Sequence, residues 1–326
     1  MIPLSILELG RIREGYDCRN ALKGALTLAQ HAERLGYKRI WVAEHHNSTG
    51  VSTAATSVVI AHIAGGTSTI RVGAGGIMLP NHAPYVIAEQ FGTLEALFPG
   101  RIDLGLGRAP GTDQMTLRAL RRAPNNADNF PQDIEELQVF LGPKEANQTI
   151  EAVPGTDSNV PLWILGSSLY GAQLAASLGL PYGFASHFAP QALYQAVNIY
   201  RTHFQSSTQL AKPHTLVGVN VIAAESDEEA QYLATSQQMS FTDLFRGTRG
   251  KMQAPIDNID DYWTPQERIQ VERMLNCSVI GSAETVRQGL TQLIKDTSAD
   301  ELMIVSDIFD QDKRYRSLEI TQQAMA

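Results

Sequence analysis

Arg108 stands at the end of a strand-like run, Arg101-Ile102-Asp103-Leu104-Gly105-Leu106-Gly107-Arg108. Its guanidinium keeps its charge and presents a fork of donors that suits phosphate. The glycines before it allow close approach to the backbone; a surface ion pair is the other reading. A second cluster, Glu44-His45-His46-Asn47, offers imidazoles suited to proton transfer near neutral pH. Neighbours after a strand point in different directions, so at most one of the two histidines is expected to face inward. Both are alternatively structural. No nearby carboxylate–histidine spacing supports a metal, and none is expected.

Three further clusters follow the same rule of position. Gly73-Ala74-Gly75-Gly76 sits inside an apolar run and is followed by Asn81 and His82. Adjacent glycines in a strand mark a bulge or the close approach of a flat ligand. The spacing is not a dinucleotide fingerprint. Gly166-Ser167-Ser168 opens a helical pattern, where the serines either cap the helix or leave its first amides to an anion. Ser186-His187-Phe188 adds a third histidine to the set. Together these ends suit an enzyme that holds a phosphate-bearing planar ligand.

The elements that must position these residues alternate along the chain. Strand-like runs occur at 2–8, 39–44, 70–78, 101–107, 161–166, 182–186, 214–224 and 300–306, with helical patterns between them. Nearly continuous apolar strands imply a parallel sheet covered on both faces. Eight such units predict an α/β (β/α)8 TIM barrel, one domain over 1–326, with a long insertion before the last strand. Residues 108–130 read as a long loop with a short helix near Asp113–Arg122. Residues 239–264, with Phe241, Phe245, Arg246, Arg249, Lys251 and Trp263, read as an irregular segment that is either a lid over the barrel mouth or an insertion without function.

Bulk numbers narrow the class. The 26 basic and 34 acidic residues give a net charge of −8, which argues against a general nucleic-acid binder. Two cysteines, Cys18 and Cys277, allow at most one disulfide, and reduced thiols in the cytoplasm are expected. No apolar stretch approaches a membrane span and no signal-like N-terminus is seen.

The stretches Trp41–His46, Arg71–Pro80, Pro99–Arg108 and Leu162–Pro181, in this order, resemble the bacterial luciferase-like flavin monooxygenase family. The likeness runs in register through Val279-Ile280-Gly281-Ser282 and the last strand. The resemblance implies a TIM barrel that takes FMN, usually reduced by a separate flavin reductase, and uses oxygen to oxidise an aldehyde or similar small molecule. His45 matches the family's proton-transfer histidine. Gly75 and Gly76 match the pair under the flavin ring, where relatives have a cis peptide. Arg108 and Ser168 match phosphate positions, with Ser167 beside them. Asn81, His82 and His187 are rim candidates toward substrate.

Two departures stand out. A further phosphate arginine of luciferase is replaced by the Asn129-Phe130-Pro131-Gln132 region, and its flavin-side cysteine is Gly107, so light emission is not implied. Some relatives use F420, and an F420- or flavin-linked dehydrogenase is the alternative enzyme. A non-catalytic flavin-binding relative is the third reading. The family packs as dimers, and a His46–Glu89 pair is expected either across a homodimer interface or within one chain.

Overall fold

The structure is a computed structural model and describes residues 2–109, 112–144, 146–248 and 250–326. Arg249, singled out above, lies outside the described residues. Among the described residues nine parallel strands form one sheet: β1 (Leu4–Glu8), β2 (Arg39–Val42), β3 (Arg71–Met78), β4 (Ile102–Gly107), β5 (Leu162–Gly166), β6 (Tyr182–Phe184), β7 (Thr215–Ala223), β8 (Ser278–Gly281) and β9 (Glu301–Val305). Strands β1 to β7 pair in chain order, β7 pairs with β9, and β9 returns to β1. These eight close the expected (β/α)8 barrel. The short β8 is additional; it lies along the far half of β7, from Asn220↔Ser278 to Ala223↔Gly281.

Helices cover the outside: α1 (Cys18–Leu35), α2 (Thr56–Gly65), α3 (Pro84–Leu97), α4 (Gln114–Ala119), α5 (Phe130–Leu141), α6 (Leu169–Leu178), α7 (Leu193–His203), α8 (Asp227–Arg246), α9 (Pro265–Met274), α10 (Ala283–Thr297) and α11 (Gln311–Ala324). Successive strand side chains face opposite ways. Ile40 and Val42 of β2 join the layer between barrel and helices, whereas Trp41 points inward. Inside, Leu7, Trp41, Ala43, Trp163, Leu216, Met303 and Val305 fill the barrel. The Trp41 and Trp163 rings meet edge to face at 5.0 Å, a favoured aromatic geometry.

The N-terminal end of the barrel is closed by a buried ionic network. Arg39, opening β2, donates to Asp103 of β4 at 2.7 Å and to Glu301 of β9 at 2.8 Å. Arg71 adds two bonds to Asp103, and the Trp41 indole donates to it at 3.1 Å. Ser5, Lys38 and His214 complete the shell of Glu301. Burial acts to raise Glu301, but the bond from His214 and the charges of Arg39 and Lys38 outweigh it and bring the carboxyl down to about 2.

The insertion departs from its reading as irregular chain. Residues 239–246 continue α8, because Met239, Phe241 and Thr242 bury its inner face. Gly247, at φ 71°, ends the helix in the left-handed region that glycine adopts without strain. Beyond it Met252 exchanges backbone bonds with Ile12 and Glu14, at 2.8 Å each. A Cβ on Gly50 would lie 1.9 Å from the Gly250 carbonyl oxygen, so the two backbones pack as only glycine permits. Phe241, Trp263, Val271 and Leu275 form a small core between α8 and α9. In the 108–130 loop, α4 is shorter than expected and is capped by Asp113, with a 3-10 turn at Pro124–Asn129 before α5.

Candidate active site at the C-terminal rim

The C-terminal ends of the strands share one rim, the end of a TIM barrel where chemistry is housed. Glu44, two residues past β2, is fully buried there. Its Oε1 accepts from His46 Nε2 at 2.6 Å and from His82 Nε2 at 2.8 Å, and its Oε2 accepts the Met78 amide at 3.2 Å. Burial pushes the Glu44 carboxyl up, but the two imidazole bonds hold it below its ordinary value. The same bond from Glu44 raises His46, against its own burial. The sequence spacing supports no carboxylate–histidine metal set, but the fold brings one together in space. The partners lie 2 and 38 residues from Glu44, and only the fold brings their ligating atoms within 4.8 Å of one another.

This pairing also corrects the intrachain version of the His46–Glu89 reading. The carboxylate bonded to His46 is Glu44, while the Glu89 side chain bonds Tyr85 and raises that phenol. A contact from His46 to Glu89 across a two-fold would have to use the ring's other nitrogen.

His45 is half-buried on the rim and close enough to His187 to influence its charge. Burial pushes the His187 imidazole down to about 4, Asp307 pulls it up and His45 pushes it down further. His187 is thus a neutral ring near pH 7, and its Nδ1 is buried without a hydrogen-bond partner. Gly218 of β7 makes room for it: a Cβ there would lie 2.6 Å from Nδ1. The Asn220 amide fixes the His187 carbonyl at 2.6 Å, and Gln237 holds Asn220 at 3.0 Å. Asn81 is buried nearby in sequence to His82, and its carbonyl accepts Arg122 Nε at 3.1 Å.

Arg108 follows β4 and lies with its guanidinium 4.3 Å from the centre of the Tyr170 ring. Its Nε donates to the Ala127 carbonyl at 3.3 Å. The nearest carboxylate, Asp128, stands 3.9 Å away with both side chains well exposed, a pair worth little. Tyr170 belongs to the first turn of α6, so Arg108 reaches the segment opened by Ser167 and Ser168. Ser168 is the N-cap residue, yet its side chain makes no capping bond, and the first turn of α6 carries no acidic residue. The expectation that these serines cap the helix by side chain is not met at Ser168. The first-turn amides and the positive end of the helix are left facing the guanidinium's side of the rim.

The Gly75–Gly76 peptide is cis, and β3 shifts register against β4 between Gly75 and Ile77. The bulge reading of these glycines is what the strand pairing displays. A Cβ on Gly75 would meet Leu7 Cδ1 at 2.6 Å, and one on Gly76 would meet the Gly105 carbonyl oxygen and Leu165 Cδ1 at 2.7 Å each. Crowding inside the barrel is therefore sufficient to require both glycines.

Tyr170, Asn220 and Asp307 carry no distinguishing pattern in the sequence, and Gly218 carries only a weak one. The glycine inside the apolar run Thr215–Ala223 was the one readable signal among them, since such a residue marks a close approach.

Comparison with known proteins agrees with this architecture. Residues 3–301 match the family described as luciferase-like monooxygenase. A protein of Escherichia coli (strain K12) named luciferase-like monooxygenase is 50% identical over 320 residues, 98% of this chain and 96% of that one. The crystal structure of apo-MsnO8 superposes with a TM-score of 0.88 at 33% identity, covering 100% of this chain and 98% of the other. The fold is shared with the FMN-bound oxygenating constituent of 3,6-diketocamphane monooxygenase (TM-score 0.73, 16% identity, 100% and 98% covered). An F420-dependent secondary alcohol dehydrogenase shares it too (TM-score 0.70, 13% identity, 100% and 99% covered). With a rim built in this way and relatives matched over nearly its whole length, the chain belongs to the luciferase-like monooxygenase family.

Proposed function

We propose that this protein is a flavin-dependent monooxygenase that takes reduced FMN from a separate reductase and oxidises a small organic molecule such as an aldehyde. The observation that carries the reading is Arg108, stacked on Tyr170 beside the uncapped first turn of α6. A fixed cation and free helix amides form a donor set for a terminal phosphate, and FMN ends in one. The residues present therefore fit the group.

Bound reduced flavin would supply the electrons that activate oxygen. The protein's own residues would bind, orient and move protons. Arg108, with the amides at Ser167 and Ser168, would hold the phosphate. The accessible backbone at Gly75, beside Gly76, would border the ring. His45 would exchange a proton with substrate or product, and the neutral His187 would offer it a polar contact without a competing charge. Asn81 and His82 would line the substrate side. Backbone pairing of Met252 with Ile12 and Glu14 holds the segment after α8 across the loop that follows β1, where it would limit access of water. In keeping with the family expectation, we take the working form to be a cytoplasmic homodimer.

The test is oxygen uptake and product analysis with reduced FMN, a panel of aldehydes and other small substrates, and the His45→Ala variant. Substrate-dependent product in the native protein, with His45→Ala binding FMN normally but turning over poorly, is expected. Reduction or oxidation of substrate that proceeds without oxygen and prefers F420 would move the protein to the dehydrogenase reading.

A further inference from the structure

Glu44, His46 and His82 form a second cluster on the rim, of which the flavin reading uses only His82, as a residue lining the substrate side. Glu44 and His46 come from the loop after β2, and His82 from the turn after β3. Their three ligating atoms lie within 4.8 Å of one another. The Glu44 side chain is 1% exposed, while His46 and His82 are 15% and 26% exposed. The carboxylate is thus rigidly held, and the imidazoles leave a side open to solvent. The Met78 amide ties Oε2 and aims Oε1 at both rings, as outer contacts orient ligands in metal sites.

We propose that Glu44, His46 and His82 bind one divalent first-row transition ion, with zinc as the best-suited probe. Two imidazoles and one carboxylate with an open position match three-ligand zinc sites and mononuclear iron sites. Calcium and magnesium demand more oxygen donors than this cluster holds. Metal–ligand bonds of about 2.0–2.2 Å at tetrahedral angles separate ligand atoms by roughly 3.3 Å. The carboxylate–imidazole distances of 2.6 and 2.8 Å would then open by roughly 0.5–0.7 Å. Small side-chain rotations of two partly exposed histidines accomplish that. Each Nε2 would exchange its hydrogen bond to Glu44 for the metal, with the ring proton carried on Nδ1. The inference stands independently of the flavin reading.

The experiment is calorimetric titration of zinc into chelator-treated, full-length protein, repeated with His82→Ala and, separately, with His46→Ala. Circular dichroism would confirm that each variant is folded. One zinc per chain is expected in the native protein, weakened on the order of 100-fold or more in either variant, since even outer-shell losses cost 10–100-fold. Cobalt(II) in place of zinc should give visible ligand-field bands of a low-coordinate site, lost in His82→Ala. Absence of zinc binding, or binding of equal strength and stoichiometry in both variants, would overturn the proposal and leave a hydrogen-bonded triad only.

Discussion

The two ends of the barrel are built from similar residues to opposite effect. At the N-terminal end Arg39 pairs with both Asp103 and Glu301 and Arg71 pairs with Asp103, with Arg39, Asp103 and Glu301 buried. At the C-terminal end Arg108 meets an aromatic face and a distant, exposed carboxylate, His187 keeps an unpartnered nitrogen, and α6 begins without a side-chain cap. Paired charges at the floor spend their hydrogen bonds on one another. At the rim, Arg108 and the first turn of α6 are left without a buried carboxylate or a side-chain cap. Under the proposed function, the difference assigns stability to one end and recognition to the other.

The sharpest way to break this contrast is to exchange the perturbations. Arg39→Ala leaves Asp103 and Glu301 buried without their main cation and should cost about 3–5 kcal/mol in urea unfolding. A loss below about 1 kcal/mol would mean that the floor is not the stabilising end. His45→Ala should lower turnover by on the order of 100-fold or more, with FMN affinity nearly unchanged. Equal loss in affinity and turnover would make His45 a structural residue. Arg108→Ala should shift the unfolding midpoint little and weaken FMN by about 1.5–3 kcal/mol, the loss of a charge-assisted bond.

Acid sensitivity separates the ends more finely. His187 sits near 4 when folded against an ordinary 6.5, so its folded form resists protonation. The stability it lends is complete above about 6.5 and is lost as pH falls from there toward 4. Glu301 at about 2 lends stability that is complete above 4.5 and is lost only below it. His46, raised by Glu44, acts in the opposite sense and fades as pH rises. Thermal melts from pH 7.5 to 5 should therefore fall less steeply for His187→Gln than for the native chain. Identical slopes would place the acid response elsewhere.

Much of the fold is legible because each barrel strand is buried on both faces and must be apolar almost throughout. The four-residue β8 escapes notice, since Ser278–Gly281 is too short to show a period. The continuation of α8 past residue 238 is hidden by its polar and aromatic residues, of which Phe241 is buried against Trp263 and α9 only in the folded chain. The floor network is equally obscure: Arg39 and Glu301 stand at strand starts, where charges ordinarily mark a boundary, and lie 262 residues apart. At the rim the order of the clusters can be read from strand ends. Which side chains meet cannot, because Glu44 chooses between His45, His46 and His82 through loop geometry. Arg108 is visible as a cation, but its ring partner Tyr170 depends on how α6 leaves β5.

The measurement that tests the central claim most directly is a titration of FMN, in oxidised and reduced forms, into the native protein and Arg108→Ala, with F420 in parallel. FMN should bind the native chain, and at least about tenfold more weakly Arg108→Ala, while both proteins melt at nearly the same temperature. Failure of the native chain to bind FMN in either form, or equal binding by the two proteins, would contradict that claim.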